Sequence, residues 1–296
     1  MWCYYIINNY LIAILETFIY NFIMFWSKKR IIIGLTTFNS EFLNLSVPAV
    51  GRFSRRCILV VHNDNPDVRI KKRQIRKMGF YGRVYVINSK QNIGLLRSRI
   101  AIVDFVRVKK IRSDWIMFVD DDDIVTDISI PRVGKNNFAV IQNMVVLRSR
   151  LIDVLRVAKN PKSWVVDNEN VYMVRPHVGL AGTMIRLSVM FCVSDVLCCV
   201  QERVAGVDSG LSFRPPTDMM MWSAVNIIAR HYNSFATPIY MDTVNYVATD
   251  IDTATHKYGM AVAPAKNTAQ QIGRVIAKYD AIIRAELSAD EKLKCV

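Results

Sequence analysis

Trp115-Ile-Met-Phe-Val-Asp-Asp-Asp-Asp-Ile-Val125 is the stretch on which the reading of this 296-residue chain turns. Its first five residues are apolar and bounded by polar ones, the pattern of a strand buried in a parallel sheet. Four aspartates, Asp120 to Asp123, stand at the carboxyl end of that strand. Side by side they repel one another unless a cation lies among them. The crevice beyond the carboxyl ends of the strands is also where open α/β sheets bind ligands. A divalent ion shared between carboxylate and phosphate oxygens accounts for both facts.

Three similar runs precede this one. Ile31-Ile-Ile-Gly-Leu35 is followed by the polar turn Thr36-Thr37-Phe38-Asn39. Cys57-Ile-Leu-Val-Val61 ends in His62-Asn63-Asp64-Asn65-Pro66, dense in turn residues. Val84-Tyr-Val-Ile87 leads into Asn88 to Gly94. Residues 40–55 are long enough for a crossover helix, and Arg69 to Met78 has helical composition without a breaker. Leu95, Leu96, Ile100, Val103 and Val106 recur at helical spacing. Strands alternating with helices predict an α/β fold with a mostly parallel central sheet flanked by helices. Neither GxGxxG nor GxxxxGK[ST] is present, which argues against a dinucleotide fold or a P-loop.

The second half is less periodic. Ala139–Ile141 and Val145–Leu147 are candidate strands within a mixed region spanning 139–225. Near the end, Ile272, Val275, Ile276, Tyr279, Ile282, Ile283 and Leu287 share one face, predicting an amphipathic C-terminal helix that packs on the domain.

Apolar content of 52% and charged content of 22% exclude a disordered chain. The six cysteines show no paired metal spacing and read as core thiols, which suits a reducing compartment and a cytoplasmic protein. Net charge is +14, and Arg52 to Arg112 alone holds 17 Lys/Arg against three Asp, so the rest is near neutral. That window is either a set of solvated faces or a surface for an anionic partner: lipid headgroups, nucleic acid or a nucleotide diphosphate. Met1 to Trp26 is apolar and long enough to span a bilayer, but Asn8, Asn9, Glu16 and Asn21 interrupt it. It is read as an anchor or membrane-associated helix, with Ser27-Lys28-Lys29-Arg30 on the cytoplasmic side, or as an extension ahead of a true start at Met24.

In order and spacing these segments resemble a glycosyltransferase of the GT-A fold, closest to family 2, over roughly residues 30–260. IIIGLTTFN resembles the opening strand and nucleotide-contacting turn, with Thr36, Phe38 and Asn39 as contacts. ILVVHNDNPD resembles the second strand, with Asn63 where the family carries a base-reading aspartate. NIGLLRSR resembles N-x-G-x-x-x-A-R-N through Asn92, Gly94 and Arg99, with Ile100 in place of the last asparagine. IMFVDDDDI resembles the DxD motif. The resemblance places Asp120 near ribose and base and makes Asp122 a ligand for Mn²⁺ or Mg²⁺. Asp121 and Asp123 are then solvent-exposed bystanders.

The resemblance further implies that Asp218, in Pro215-Pro216-Thr217-Asp218, is the general base, although Thr217 replaces the commoner glutamate. Capping of the helix that follows is the competing role. His256 falls where family members place a histidine on metal or diphosphate, and Lys257 and Arg99 are phosphate contacts. Gly179 and Gly182 sit in the acceptor-side stretch, where close backbone approach to a sugar and an ordinary loop are equal alternatives.

The expected organisation is an apolar segment over 1–27, a GT-A domain over 28–260 and a helical extension over 261–296. The expected reaction is metal-dependent, inverting transfer from a nucleotide-diphosphate sugar to an unidentified hydroxyl acceptor. Rival readings are a sugar-phosphate nucleotidyltransferase, a nucleic-acid-binding protein using the basic window, and a glycosyltransferase acting on modified nucleic acid.

Overall fold

The computed structural model describes residues 31–147, 171–174, 180–207, 217–249 and 269–289. Four strands form a parallel half-sheet: β1 (Ile31–Thr37), β2 (Cys57–Asn63), β3 (Arg83–Asn88) and β4 (Trp115–Asp120). Their order is β3-β2-β1-β4, with β1 between β2 and β4. Every side chain of β1 and β2 is buried, which explains why these strands read as continuous apolar runs.

The crossovers are the helices α1 (Leu43–Gly51), α2 (Lys72–Lys77) and α3 (Gly94–Val108), so the expected alternation holds through residue 125. Beyond β4 the sheet is mixed. It adds β5 (Ile124–Val125), β6 (Asn137–Leu147), β7 (Val171–Val174), β8 (Met184–Arg186) and β9 (Thr237–Thr249). β8 lies antiparallel between β4 and β6, while β6 and β9 run parallel with three register irregularities. The two candidate strands at 139–141 and 145–147 are thus one strand, β6.

Alternation along the strands divides the core in two. Ile32, Ile58, Val60, Ile116 and Phe118 face a layer built with α3 and three later helices, α4 (Leu187–Val207), α5 (Thr217–Tyr232) and α6 (Ala269–Ala289). Ile31, Ile33, Leu35, Leu59, Val61, Met117 and Val119 face the layer that holds α1 and Tyr246. The α/β class expected from the sequence is therefore the one observed. The C-terminal helix is present too, and Tyr279, Ile283 and Leu287 bury its apolar stripe in the core shared with α4 and α5. Trp222 is partly buried and packs against this core, 6.1 Å from the Phe138 ring.

The cysteine reading needs correction. Cys57 is a buried free thiol, but Cys198 and Cys199 are exposed and Cys192 is disulfide-bonded. No helix among the described residues is long and apolar enough to cross a membrane. Residues 1–30 lie outside the described set.

Candidate active site

The carboxyl ends of β1, β2 and β4 converge with the amino ends of α3 and α5. Register puts Thr36 level with both His62 and Asp120, and Thr37 level with Asn63. The aspartate tract is the turn between β4 and β5, and β5 pairs with β9. Three separate tethers fix this turn.

The first tether is Arg99, which is fully buried. One guanidinium arm binds Asp120 Oδ1 at 2.8 Å and the other binds Asp218 Oδ1. Burial alone would lower its pKa, but the charges of Asp218 and Asp120 outweigh that and raise it. The second tether is the Tyr246 hydroxyl. It accepts from the Asp120 amide at 3.2 Å and donates to Asp123 Oδ2 at 2.6 Å. Thr249 adds its amide to Asp123 Oδ1 at 2.9 Å and its hydroxyl to the Asp122 carbonyl at 2.5 Å. The third is Thr37, whose hydroxyl donates to Asp121 Oδ2 at 2.5 Å.

The tract therefore differs from expectation in two places. Asp123 is buried under Tyr246, and Asp121 is half-buried against Thr37; neither is a solvated bystander. A strand that turns within two residues points Asp123 back into the protein, where only a hydrogen-bonded carboxylate is tolerated.

Crowding shows in the acidities. Burial pushes Asp121 and Asp123 well above the carboxylate range, and the charge of Asp122 adds to this in both. Burial, then the charge of Asp120, pushes Asp122 up to about 7. Asp120 is raised by burial although Arg99 pulls it down. Burial is the first cause in all four, and the charges of neighbouring aspartates add to it.

This donor set fits Mn²⁺ or Mg²⁺ in kind. Carboxylate oxygens are the ligands these hard ions take, and a nearby cation would lower the raised pKa values. Asp122 is half-buried, and among the described residues its carboxylate is hydrogen-bonded by its own backbone amide. No cluster of three or more His, Cys, Asp or Glu suited to a metal occurs among the described residues. His256 and Lys257 lie outside that set.

Around the tract stand the other expected residues. Asp218 is in the first turn of α5 and bonds Arg99 through one oxygen, so Asp120 and Asp218 occupy two arms of one guanidinium. Thr36 hydrogen-bonds the Asp120 side chain. Phe38 is half-buried and its carbonyl accepts from Asn65 at 3.1 Å, while Asn39 turns its own loop by accepting from the Glu41 amide. Asn92 is exposed and accepts from the Gly94 amide at 3.0 Å.

Two expectations are overturned. Asn63 does not face the cleft: it is fully buried, and its amide donates to the Asn65 and Val68 carbonyls and to Asn88. Its neighbour Asp64 instead accepts from the Ile93 and Gly94 amides, both at 2.8 Å, and so fastens the Asn92–Gly94 turn to the end of β2. Arg99 is not placed as a phosphate contact, because both arms are occupied and the side chain is sealed from solvent.

Sequence reasoning missed Tyr246, Thr249, Thr37 and Asp64. Asp64 had a signal, being the carboxylate one residue past the end of β2. Tyr246 and Thr249 had none, since they reach the tract from over 120 residues away. Gly182 serves the same clasp. Its φ is 77°, its carbonyl accepts from Asn245 at 2.8 Å, and a Cβ there would lie 2.7 Å from the Tyr246 ring.

No family model matches the chain, and no curated protein matches it. Among solved structures it is similar to glucosyl-3-phosphoglycerate synthase from Mycobacterium tuberculosis in complex with Mg²⁺ and uridine diphosphate. That pair shares 10% identity and a TM-score of 0.36 over 89% of this chain and 81% of the other. It is similar to GalNAc-T7 with UDP, GalNAc and Mn²⁺ at 10% identity and TM-score 0.39, over 75% and 44%. A nucleoside-diphosphate-sugar pyrophosphorylase from Vibrio cholerae RC9 follows at 8% and 0.41, over 72% and 92%.

Proposed function

We propose that the chain is a metal-dependent, inverting glycosyltransferase that moves a sugar from a nucleotide-diphosphate donor to a hydroxyl acceptor. One observation carries this reading: a half-buried Asp122 stands in the turn that Asp120 and Arg99 tie to Asp218, at the ligand-binding end of the sheet. Asp122, with His256 as a second donor, would hold Mn²⁺ or Mg²⁺, which would supply positive charge against the leaving diphosphate. Thr36, Phe38, Asn39, Asn92 and Gly94 lie at the turns that would face the nucleotide, and Lys257 is assigned to phosphate.

Asp218 is the base. Its Oδ1 is held by Arg99, and its Oδ2 has no partner among the described residues. The acceptor hydroxyl gives its proton to Asp218 while its oxygen bonds to the anomeric carbon. The bond from that carbon to the diphosphate oxygen breaks at the same time, and its electron pair leaves with the diphosphate. No covalent enzyme intermediate is needed. A sugar-phosphate nucleotidyltransferase would want a basic, glycine-rich first loop, which Thr36-Thr37-Phe38-Asn39 does not supply.

The test is a screen of nucleotide sugars for hydrolysis with and without Mn²⁺. Metal-dependent release of a nucleoside diphosphate from at least one donor is expected. Failure to hydrolyse any donor, with or without metal, would sink the reading.

A further inference from the structure

The end of the sheet opposite the aspartates has its own chemistry. Register sets Ile31 level with Cys57, Ile58 level with Arg83, and Ile32 level with Ile116. The connections that enter these strands therefore lie together, at the amino ends of the parallel strands. They carry Arg55 and Arg56 before β2, Arg83 opening β3, and Lys109, Lys110 and Arg112 before β4. All six are exposed, and none has a carboxylate partner among the described residues.

Two of these connections are physically joined. The Tyr81 amide donates to Ser54 Oγ at 3.2 Å, and a Cβ on Gly82 would collide with the Ser54 carbonyl. Apolar groups stand among the charges: Tyr81 is 82% exposed and Val108 is 75% exposed. Both are far above what a solvated basic face requires. The chain also enters β1 at this end. Arg30 is covalently next to Ile31, preceded by Lys28, Lys29 and the apolar run Met1–Trp26.

We infer that this end of the protein docks on an anionic lipid bilayer. Basic residues within a Debye length of the headgroups attract them, each by roughly fivefold in affinity. Tyr81 and Val108 enter the interfacial layer, where an aromatic ring with a polar tip and a small apolar side chain are both stabilised. A nucleic acid backbone would use the same charges but offers Val108 nothing. This inference stands apart from the transferase reading, because it uses none of the residues assigned to the site.

The experiment is flotation of the full chain with vesicles of phosphatidylcholine alone and of phosphatidylcholine mixed with phosphatidylserine. Binding to the anionic vesicles is expected to be at least roughly tenfold stronger, with the difference vanishing at high salt. Lys109→Glu with Lys110→Glu, and separately Arg55→Glu with Arg56→Glu, remove most of that difference. Tyr81→Ser with Val108→Ser weakens the binding that survives high salt. Equal binding to both vesicle types overturns the inference, since the apolar run alone then accounts for attachment. Duplex DNA that outcompetes the anionic vesicles overturns it in favour of a nucleic-acid partner. Should a charge-reversed variant not fold, the salt dependence of the unaltered protein on the two vesicle types decides.

Discussion

Arg99 and Asp218 form an ion pair in which the arginine is wholly buried and the aspartate is partly open to solvent. The other arm of Arg99 holds Asp120, so one guanidinium sets the spacing between the metal-side turn and the proposed base. Arg99→Met leaves two carboxylates facing each other without a cation. Breaking such a pair costs about 3–5 kcal/mol, and urea denaturation should show a loss of that size. Arg99→Lys should recover little of it, because a single ammonium lacks the fork that reaches both partners.

Asp218→Asn separates the two roles of that carboxylate. As the base, its loss should lower transfer by roughly 10²- to 10⁴-fold while donor affinity, followed by calorimetry, stays close to that of the unaltered protein. A variant with normal turnover and a lowered unfolding midpoint would instead make Asp218 a structural partner of Arg99.

Asp122→Asn removes the carboxylate expected to bind the cation. Mn²⁺ binding measured by calorimetry or paramagnetic relaxation should be lost, and metal-dependent transfer with it. Unchanged Mn²⁺ affinity in this variant excludes the assignment.

The aspartate tract also fixes the sign of a pH effect. Asp122 has a folded pKa of about 7, and Asp121 and Asp123 are raised as well. The folded state thus keeps protons that the unfolded chain releases near pH 4. This stabilising contribution is complete below about pH 4 and is lost as pH rises through about 7. In a chelator, the thermal midpoint should fall between pH 5 and pH 8, as checked by calorimetry. Saturating Mg²⁺ should flatten that fall, because the cation replaces the missing protons.

Gly182→Ala tests the clasp from behind. A methyl group there meets the Tyr246 ring, and the positive φ disfavours any side chain. The expected loss is of order 1–3 kcal/mol for the backbone alone. Tyr246→Phe keeps the ring and removes only the hydroxyl, so it should leave Asp123 half-satisfied and weaken Mn²⁺ binding without a comparable packing defect.

The parallel half of the fold was legible because β1, β2 and β4 are buried on both faces and so must be continuously apolar. The same was true of Gln270–Leu287, whose stripe follows one helical face. Helix α4 was not legible: Leu187–Val207 packs Met190, Val193, Val196, Leu197 and Val200 into the core amid further apolar residues, which blurs its period. Strand β9 was hidden differently, since Tyr240, Asp242 and Thr243 make its first half polar and its pairing with β6 is irregular. Within the site, Asp120, Asp122 and Asp218 announced themselves by residue type. Asn63 and Asp64 exchanged places because neighbouring strand-end residues point to opposite sides, and only the geometry says which one faces the turn.

Thr249, the last residue of β9, is bonded to both Asp122 and Asp123. One strand end thus holds two consecutive residues of the acidic turn, so any displacement of β9 shifts both together.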